Sequence, residues 1–109
     1  MLFNVYKDLA LAHEKNGSFQ KALGAYSTAV RYTQNNNTKM ELYFSMATIA
    51  DKELKNYHMA VILYKEYRVC LFNYQNSLKD EKEIEEIESK LESLDEYIKL
   101  LTEEAMKKN

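Results

Sequence analysis

One pattern of large and small residues occurs twice in the sequence, and it limits the folds open to the chain more than any other feature. In each copy an aromatic residue, an alanine and a second aromatic residue follow one another at helical spacing. The residues are Phe19, Ala22, Tyr26 and Ala29 in the first copy and Tyr57, Ala60, Tyr64 and Tyr67 in the second, 38 residues further on. Spacings of three and four place side chains on one face of an α-helix, so the pattern predicts two similar helices.

A similar helix precedes each of these segments. At the same offset of 38 residues Tyr6 aligns with Phe44. Ala12 likewise aligns with Ala50. Gly17 lies between the first two segments, and glycine readily adopts the left-handed conformation that ends a helix. Each repeat is therefore predicted to be a pair of antiparallel helices, in which the alanines allow close approach and the aromatic rings fill the space beside them.

Local signals predict five helices in an all-α chain. Proline is absent and only two glycines occur in 109 residues, a composition that favours helix. The helix starts are predicted by the caps Ser18 and Asn56 and by the capping boxes Thr38–Glu41 and Ser77–Asp80. The predicted helices cover about 2–15, 19–33, 39–54, 57–74 and 78–107.

These elements predict a single domain over residues 1–109, in which helix hairpins stack as a short superhelix and a long C-terminal helix caps it. Repeat one covers about 3–36, repeat two about 38–76, and the C-terminal helix about 78–107. Stacked repeats usually need three or more units for stability. We therefore expect the chain to be a terminal piece of a longer protein.

Composition and charge argue against several classes of function. The net charge is −2 and the basic residues are scattered, so the cluster of positive charge that binds a nucleic-acid backbone is missing. No apolar run approaches the roughly 18–20 residues that span a bilayer. Cys70 is the single cysteine and has apolar neighbours, which predicts a buried thiol in a reducing compartment. We expect a cytoplasmic protein that binds neither nucleic acid nor membranes.

The sequence contains no arrangement of residues that is typical of catalysis or of metal binding. His13 is predicted to be a packing residue and His58 a surface residue, and no paired-cysteine or EF-hand spacing accompanies them. Glycine-rich phosphate loops and nucleophile elbows are also absent from the sequence. We therefore predict that the protein is not an enzyme and has no metal site and no cofactor.

The last predicted helix has an apolar seam of the kind that heptad repeats form. The seam consists of Ile84, Ile87, Leu91, Leu94, Ile98, Leu101 and Ala105. Two interpretations are open: the seam packs on the second helix pair and caps the array, or it pairs with the same helix of another chain as a coiled coil, giving a homodimer. The charge distribution is in keeping with the cap, because residues 1–76 carry +3 and residues 77–109 carry −5.

The order of residue types in the first repeat is a signature of its own. The repeat contains, in this order, an aromatic residue, a leucine with a small neighbour, a turn glycine, and then alternating aromatic residues and alanines. These residues are Tyr6, Leu9, Ala10, Gly17, Phe19, Ala22, Tyr26 and Ala29. This order resembles the tetratricopeptide repeat family. In the second repeat Thr48, Lys55 and Tyr67 depart from the pattern. The resemblance covers about residues 3–74 and implies a short tetratricopeptide-like superhelix that binds proteins without catalysis.

The resemblance implies a ligand site on the concave surface, lined by the first helix of each pair. By position it nominates Asn4, Lys7, Leu11 and Glu14 from the first helix and Leu42, Ser45, Met46, Ile49 and Lys52 from the third. Leu11 stands where the family members that clamp chaperone tails need an asparagine, which argues against that ligand. The apolar residues of this set favour a groove for an apolar or amphipathic peptide. For Leu42 and Ile49 the alternative is packing against a neighbouring helix.

The function expected from these features is that of an interaction or scaffold module that holds a peptide or a partner helix. Two alternatives stay open at this point. One is a structural element that self-associates through the heptad seam of the last helix. The other is a peptide-sensing regulatory domain, which would require a DNA-binding portion upstream of these residues.

Overall fold

The computed structural model describes residues 2–107, and these residues form five α-helices and one π-helical segment. The α-helices are α1 (Leu2–Lys15), α2 (Phe19–Arg31), α3 (Asn36–Thr48), α4 (Tyr57–Ser77) and α5 (Glu81–Lys107), and the π-helical segment Ile49–Glu53 continues α3. The prediction of an all-α fold is confirmed for this part of the chain. The ends of α1 are the predicted ones, and those of the other helices differ by up to three residues when the π-helical segment is counted as part of the predicted third helix.

Two short connections, one in each repeat, have the same backbone conformation. Gly17, between α1 and α2, has the predicted positive φ of 74°. Lys55 lies 38 residues later, between the π-helical segment and α4, and has a φ of 51°. This conformation costs a residue with a side chain roughly 1–2 kcal/mol, so the chain retains it against a local penalty. Both residues thus have a positive φ between two helices, and the 38-residue repeat of a helix pair stays a prediction.

Asparagine side chains cap the starts of α3 and α4. Asn56 Oδ1 accepts a 3.1 Å hydrogen bond from the amide of Met59, so the cap predicted at this position is confirmed. Asn35 Oδ1 accepts a 3.0 Å hydrogen bond from the amide of Thr38. The capping box predicted at Thr38–Glu41 is therefore wrong, because Asn35 lies earlier in the chain and starts the helix there.

The other two predicted helix starts also differ from the structure. Ser18 precedes α2 without a capping hydrogen bond from its side chain. Ser77 belongs to the last turn of α4, where its hydroxyl donates a 2.7 Å hydrogen bond to the carbonyl of Tyr74, so it does not cap α5. Helix α5 begins only at Glu81, and Asp80 Oδ1 accepts a 3.0 Å hydrogen bond from the amide of Lys82.

The helices of the second pair are antiparallel. Asn36 Nδ2, at the start of α3, donates a 2.9 Å hydrogen bond to the carbonyl of Cys70, far along α4. The hydroxyl of Tyr64, nearer the start of α4, donates a 3.1 Å hydrogen bond to Asp51 Oδ2 in the π-helical segment. Residue numbers thus rise along one helix as they fall along the other. The short connection through Lys55 requires this arrangement.

In each helix pair, a tyrosine hydroxyl of the second helix donates a hydrogen bond to a carboxylate of the first helix or of its π-helical continuation. Tyr26 donates a 2.8 Å hydrogen bond to Glu14 Oε1, and Tyr64, 38 residues later, donates to Asp51, which lies 37 residues after Glu14. Burial first, and then the neighbouring carboxylate, raise the pKa of both tyrosines, so both hydroxyls stay protonated donors. The two repeats therefore share a side-chain contact as well as a backbone turn.

One core extends through α1, α2, α3 and α4 and includes part of α5. Six alanines with 0% exposure lie in this core: Ala10, Ala22, Ala29, Ala47, Ala50 and Ala60. Tyr26 and Tyr64 are buried with them, and the half-buried rings of Phe19 and Tyr57 pack at the edge. This packing agrees with the predicted roles of small and large residues, because a methyl side chain lets two helices approach closely while a ring fills the adjoining space.

Helix α5 lies antiparallel against α4 and uses the predicted seam to do so. Of the six larger seam residues, Ile87, Leu91, Ile98 and Leu101 are buried and Ile84 and Leu94 are half-buried. Arg68 holds Asp95 with two hydrogen bonds of 2.6 and 3.1 Å. Gln75, further along α4, donates a 2.7 Å hydrogen bond to Glu88, which lies earlier in α5. The seam thus packs within the chain, as the first interpretation expects, and pairing of this helix with another chain stays a prediction.

Asp51 in the π-helical segment joins this segment to both α4 and α5. Its side chain is 4% exposed and accepts hydrogen bonds from the hydroxyls of Tyr64 and Tyr97. Lys52 Nζ lies 3.6 Å from the same carboxylate and donates a 3.0 Å hydrogen bond to Tyr97. The rings of Tyr64 and Tyr97 meet edge to face with centroids 5.5 Å apart. This cluster fixes one end of α5 to the second helix pair.

Candidate functional site

Three apolar residues of the predicted concave groove belong to the core. Leu42, Met46 and Ile49 are 3%, 6% and 2% exposed. Of the two interpretations of Leu42 and Ile49, packing against neighbouring helices is the one observed. The expectation that α3 presents these side chains to a ligand on the concave surface is corrected accordingly, because its apolar face packs inside the chain.

The other six predicted groove residues lie at the surface. Asn4, Leu11 and Lys52 are exposed, and Lys7, Glu14 and Ser45 are half-buried. Two of them already have partners within the chain, since Glu14 accepts the hydrogen bond of Tyr26 and Lys52 donates to Tyr97. Ligand binding by this surface stays a prediction.

An apolar cleft with a volume of about 630 Å³ lies between α2 and α4. Its lining consists of Gln20, Leu23, Gly24 and Ser27 from α2, His58, Met59, Ile62 and Leu63 from α4, Met46 from α3, and Asn56. We call this opening the α2–α4 cleft. Leu23, Leu63 and Met46 are buried and form its floor, whereas Ile62, which is 62% exposed, and Met59 stand at its mouth. The cleft therefore combines a packed apolar floor with accessible apolar side chains.

Gly24 lies in the middle of α2 and faces the cleft. Glycine inside a helix is less stable than alanine by about 0.5–1 kcal/mol. A Cβ atom built on Gly24 meets no atom within 4 Å, and its φ is not positive. Neither packing within the chain nor backbone conformation thus requires glycine at this position. The missing side chain makes the cleft deeper at its centre.

The surroundings of the cleft are basic. None of its ten lining residues is acidic. The segments that flank it, residues 19–31 and 55–66, carry four basic side chains, Lys21, Arg31, Lys55 and Lys65, against one acidic side chain, Glu66. All five of these charged residues are exposed. The two segments that flank the cleft thus carry more basic than acidic side chains, although the net charge of the protein is negative.

Two smaller hollows lie between α3 and α5, with α4 as their shared base. Their volumes are about 450 and 430 Å³, and both include Tyr67, Leu71 and Lys90. Phe44 of α3 lines the first hollow and Met40 lines the second. Glutamates of α5 also line the second, which makes its wall more polar than that of the α2–α4 cleft. The cleft is therefore the stronger candidate for an apolar ligand.

The chemically reactive side chains are not gathered at one place. Cys70 is buried, and burial raises the pKa of its thiol, so the nucleophilic thiolate is scarce near neutral pH. His58 is exposed at the cleft, and His13 is half-buried in α1. Among residues 2–107 no three His, Cys, Asp or Glu side chains are grouped so that they could hold a metal ion. Within the same range no helix has both the length and the apolar character needed to cross a bilayer.

The heptad seam of α5 is occupied within the chain. Ile87 and Leu91 pack with Leu71 of α4, and Ile98 and Leu101 belong to the main core. A homodimer formed through this seam would first have to separate α5 from α4. Accessible apolar side chains lie at the α2–α4 cleft, where Met59 and Ile62 are exposed, and also on other faces, for example at Val5 and Phe72.

Sequence reasoning missed the cleft because its polar lining residues are of types that are common on solvent-facing helix surfaces. Gln20 and Ser27 have no signature of binding, and Leu23 and Leu63 look like ordinary core positions. Gly24 was the available signal, since a glycine in the middle of a helix lowers stability and needs a reason.

Comparisons with models of protein families, with curated proteins and with solved structures found no match.

Proposed function

We propose that this protein is a non-catalytic interaction module that binds a helix or peptide of a protein partner in the α2–α4 cleft. The observation that carries the proposal is the exposure of Ile62 and Met59 above the buried floor formed by Leu23 and Leu63. Accessible apolar side chains around a concave apolar surface are typical of sites that bind another molecule.

The packing of the helices makes the cleft a preformed site. Helix α2 is held by α1, and α4 is held between α3 and α5. The floor residues Leu23, Leu63 and Met46 belong to the same core cluster, so the two walls are fixed relative to each other. A preformed site loses little conformational entropy on binding, and more of the contact energy then appears as affinity.

The resemblance of residues 3–74 to tetratricopeptide repeats supports the same class of function, because members of that family bind proteins. The site proposed here lies on a different face from the one the resemblance implies. The resemblance implies a ligand on the concave surface that the first helix of each pair lines. The cleft lies instead between α2 and α4, the second helices of the two pairs.

The proposal is tested by affinity capture from a lysate of the source cells, with proteins identified by mass spectrometry. Wild type is compared with Ile62→Asp, which places a charge at the mouth of the cleft. The matched control is Val69→Asp, because Val69 is also an exposed apolar residue of α4 but does not line the cleft. Both positions are exposed, so both variants should keep the helicity and melting temperature of wild type.

The expected result is at least one protein that wild type and Val69→Asp retain and Ile62→Asp loses. Cross-linking of that protein to a cysteine introduced at Ser27 would locate it in the cleft. If Ile62→Asp retains the same proteins as wild type, the cleft is not the binding site and the proposal fails.

A further inference from the structure

We infer that the α2–α4 cleft takes an amphipathic helix whose flanks carry acidic side chains. This inference rests on the proposed function and names the class of partner that the site fits. Three independent features of the described residues support it: the positions that α2 contributes, the glycine at the centre of the cleft, and the charges around it.

The positions that α2 contributes are those that receive a side chain from a neighbouring helix. Gln20, Leu23, Gly24 and Ser27 are residues i, i+3, i+4 and i+7. Four residues in this arrangement form the hole into which one side chain of a packed helix inserts. Met59, Ile62 and Leu63 have the spacing i, i+3 and i+4 on α4, so the second wall is built in the same way. The cleft thus has the form of a seat for one more helix.

Gly24 indicates how closely the occupant approaches. Two helices with large side chains between them lie about 10 Å apart, and small side chains reduce this distance to about 8 Å. None of residues 2–107 fills the space beside Gly24, since a Cβ atom there would meet nothing within 4 Å. A partner that inserts a large apolar side chain at this point gives the glycine a function that offsets its cost to the stability of α2.

The charges indicate which helix fits. The flanking segments carry four basic side chains and one acidic side chain, and the lining has no carboxylate. An occupant with acidic residues beside its apolar stripe would place them near Lys21 and Lys65. Complementary charges around an apolar centre speed association and exclude partners of the wrong sign.

The same charges argue against a second copy of this chain as the occupant. Two copies joined symmetrically at the cleft would bring Lys21 and Arg31 of one close to the same basic residues of the other. The acidic helix of the chain, α5, has its apolar seam packed on α4 and the core. Strand addition is also excluded as a mode of binding to residues 2–107, because every regular element there is a helix and no sheet edge is offered.

The inference is tested with a display library of helical peptides carried on a stable helical hairpin, so that folding of the peptide does not limit binding. Positions of the apolar stripe vary among Ala, Leu, Ile, Met and Phe, and flanking positions vary among Asp, Asn and Lys. Selection is run in parallel on wild type and on Gly24→Trp. The tryptophan fills the hole on α2 without replacing any core residue, and cooperative urea unfolding with at least the wild-type free energy establishes that both baits are folded.

The expected result is enrichment, on wild type only, of peptides with Asp on the flanks and a large apolar residue in the stripe. Enrichment of Lys or Asn on the flanks would overturn the acidic partner and leave the proposed function standing. If no clone binds wild type better than Gly24→Trp, the inference that a helix occupies the cleft is overturned. The proposed function is judged separately, by the dependence of partner capture on Ile62.

A charge-reversal pair then tests the electrostatic part on one enriched peptide. Lys21→Glu combined with Lys65→Glu should weaken its binding roughly tenfold, because two attractive charge pairs at the edge of the cleft become repulsive. The matched control is Lys99→Glu, an exposed lysine of α5 away from the cleft lining. If the peptide binds the double variant and the control with equal affinity, the inference of an acidic partner is contradicted.

Discussion

Replacement of Asp51 by alanine should destabilise this protein more than any surface substitution. The carboxylate is 4% exposed and accepts hydrogen bonds from Tyr64 and Tyr97. Hydrogen bonds to a charged group contribute about 1.5–3 kcal/mol each. Tyr64 is buried, so its hydroxyl would lose its charged acceptor where water cannot replace it, whereas the hydroxyl of the half-buried Tyr97 can be rehydrated. We expect the free energy of unfolding to fall by about 3 kcal/mol, a large share of the 5–15 kcal/mol typical of a domain.

The assay is urea unfolding followed by circular dichroism, applied to Asp51→Ala, Tyr64→Phe and the double variant. The coupling energy between the two side chains should be about 1.5 kcal/mol if the hydrogen bond acts as described. Tyr32→Phe is the control, because Tyr32 is exposed and its hydroxyl should contribute little. A coupling energy below about 0.5 kcal/mol would refute the reasoning, since the carboxylate and the hydroxyl would then act independently.

Three further predictions concern stability. Gly24→Ala should raise the free energy of unfolding by about 0.5–1 kcal/mol in the same assay, because no atom lies within 4 Å of the new Cβ; a loss of stability would mean that α2 needs its glycine. Asn56→Ala should cost about 1 kcal/mol, whereas Ser18→Ala should cost clearly less, because only Asn56 makes a capping hydrogen bond. Stability should be fully present below pH 10, the ordinary tyrosine pKa, and should fall as the pH rises above it, because burial raises the pKa of Tyr64 and the folded state holds this proton more tightly. Urea unfolding at a series of alkaline pH values should show a shallower fall for Tyr64→Phe, and an unchanged slope would contradict the assignment.

The parts of the fold that could be predicted from the sequence are those that local residues determine. Gly17 has the positive φ that its position between two helical segments required, and Asn56 caps the helix that follows it. The fully buried Ala22 and Ala60 follow from their spacing to aromatic residues on one helix face. The start of α3 was placed too late because two capping signals lie close together and Asn35, the earlier one, forms the hydrogen bond.

The candidate site could not be predicted in the same way, because periodicity shows which face of a helix is apolar and not which neighbour covers it. The resemblance to tetratricopeptide repeats nominated Leu42 and Ile49 for a groove by position, and they are buried by helices that the sequence does not position. Ile62 has the same apolar character and stays exposed, because no element of residues 2–107 covers it. Burial of a given apolar residue thus depends on tertiary packing, which the pattern alone does not contain.

The π-helical segment has a consequence for how insertions and deletions act on this chain. The amide of Leu54 bonds to the carbonyl of Ile49, five residues back, so the turn holds one residue more than an α-helical turn would. Each residue of a helix rotates the next by about 100°. Deletion of one residue here would leave the helix continuous and would turn Asp51 away from Tyr64 and Tyr97. A gap of one residue at this place in an alignment would then separate chains in which this carboxylate contacts α5 from chains in which α5 is held by α4 alone.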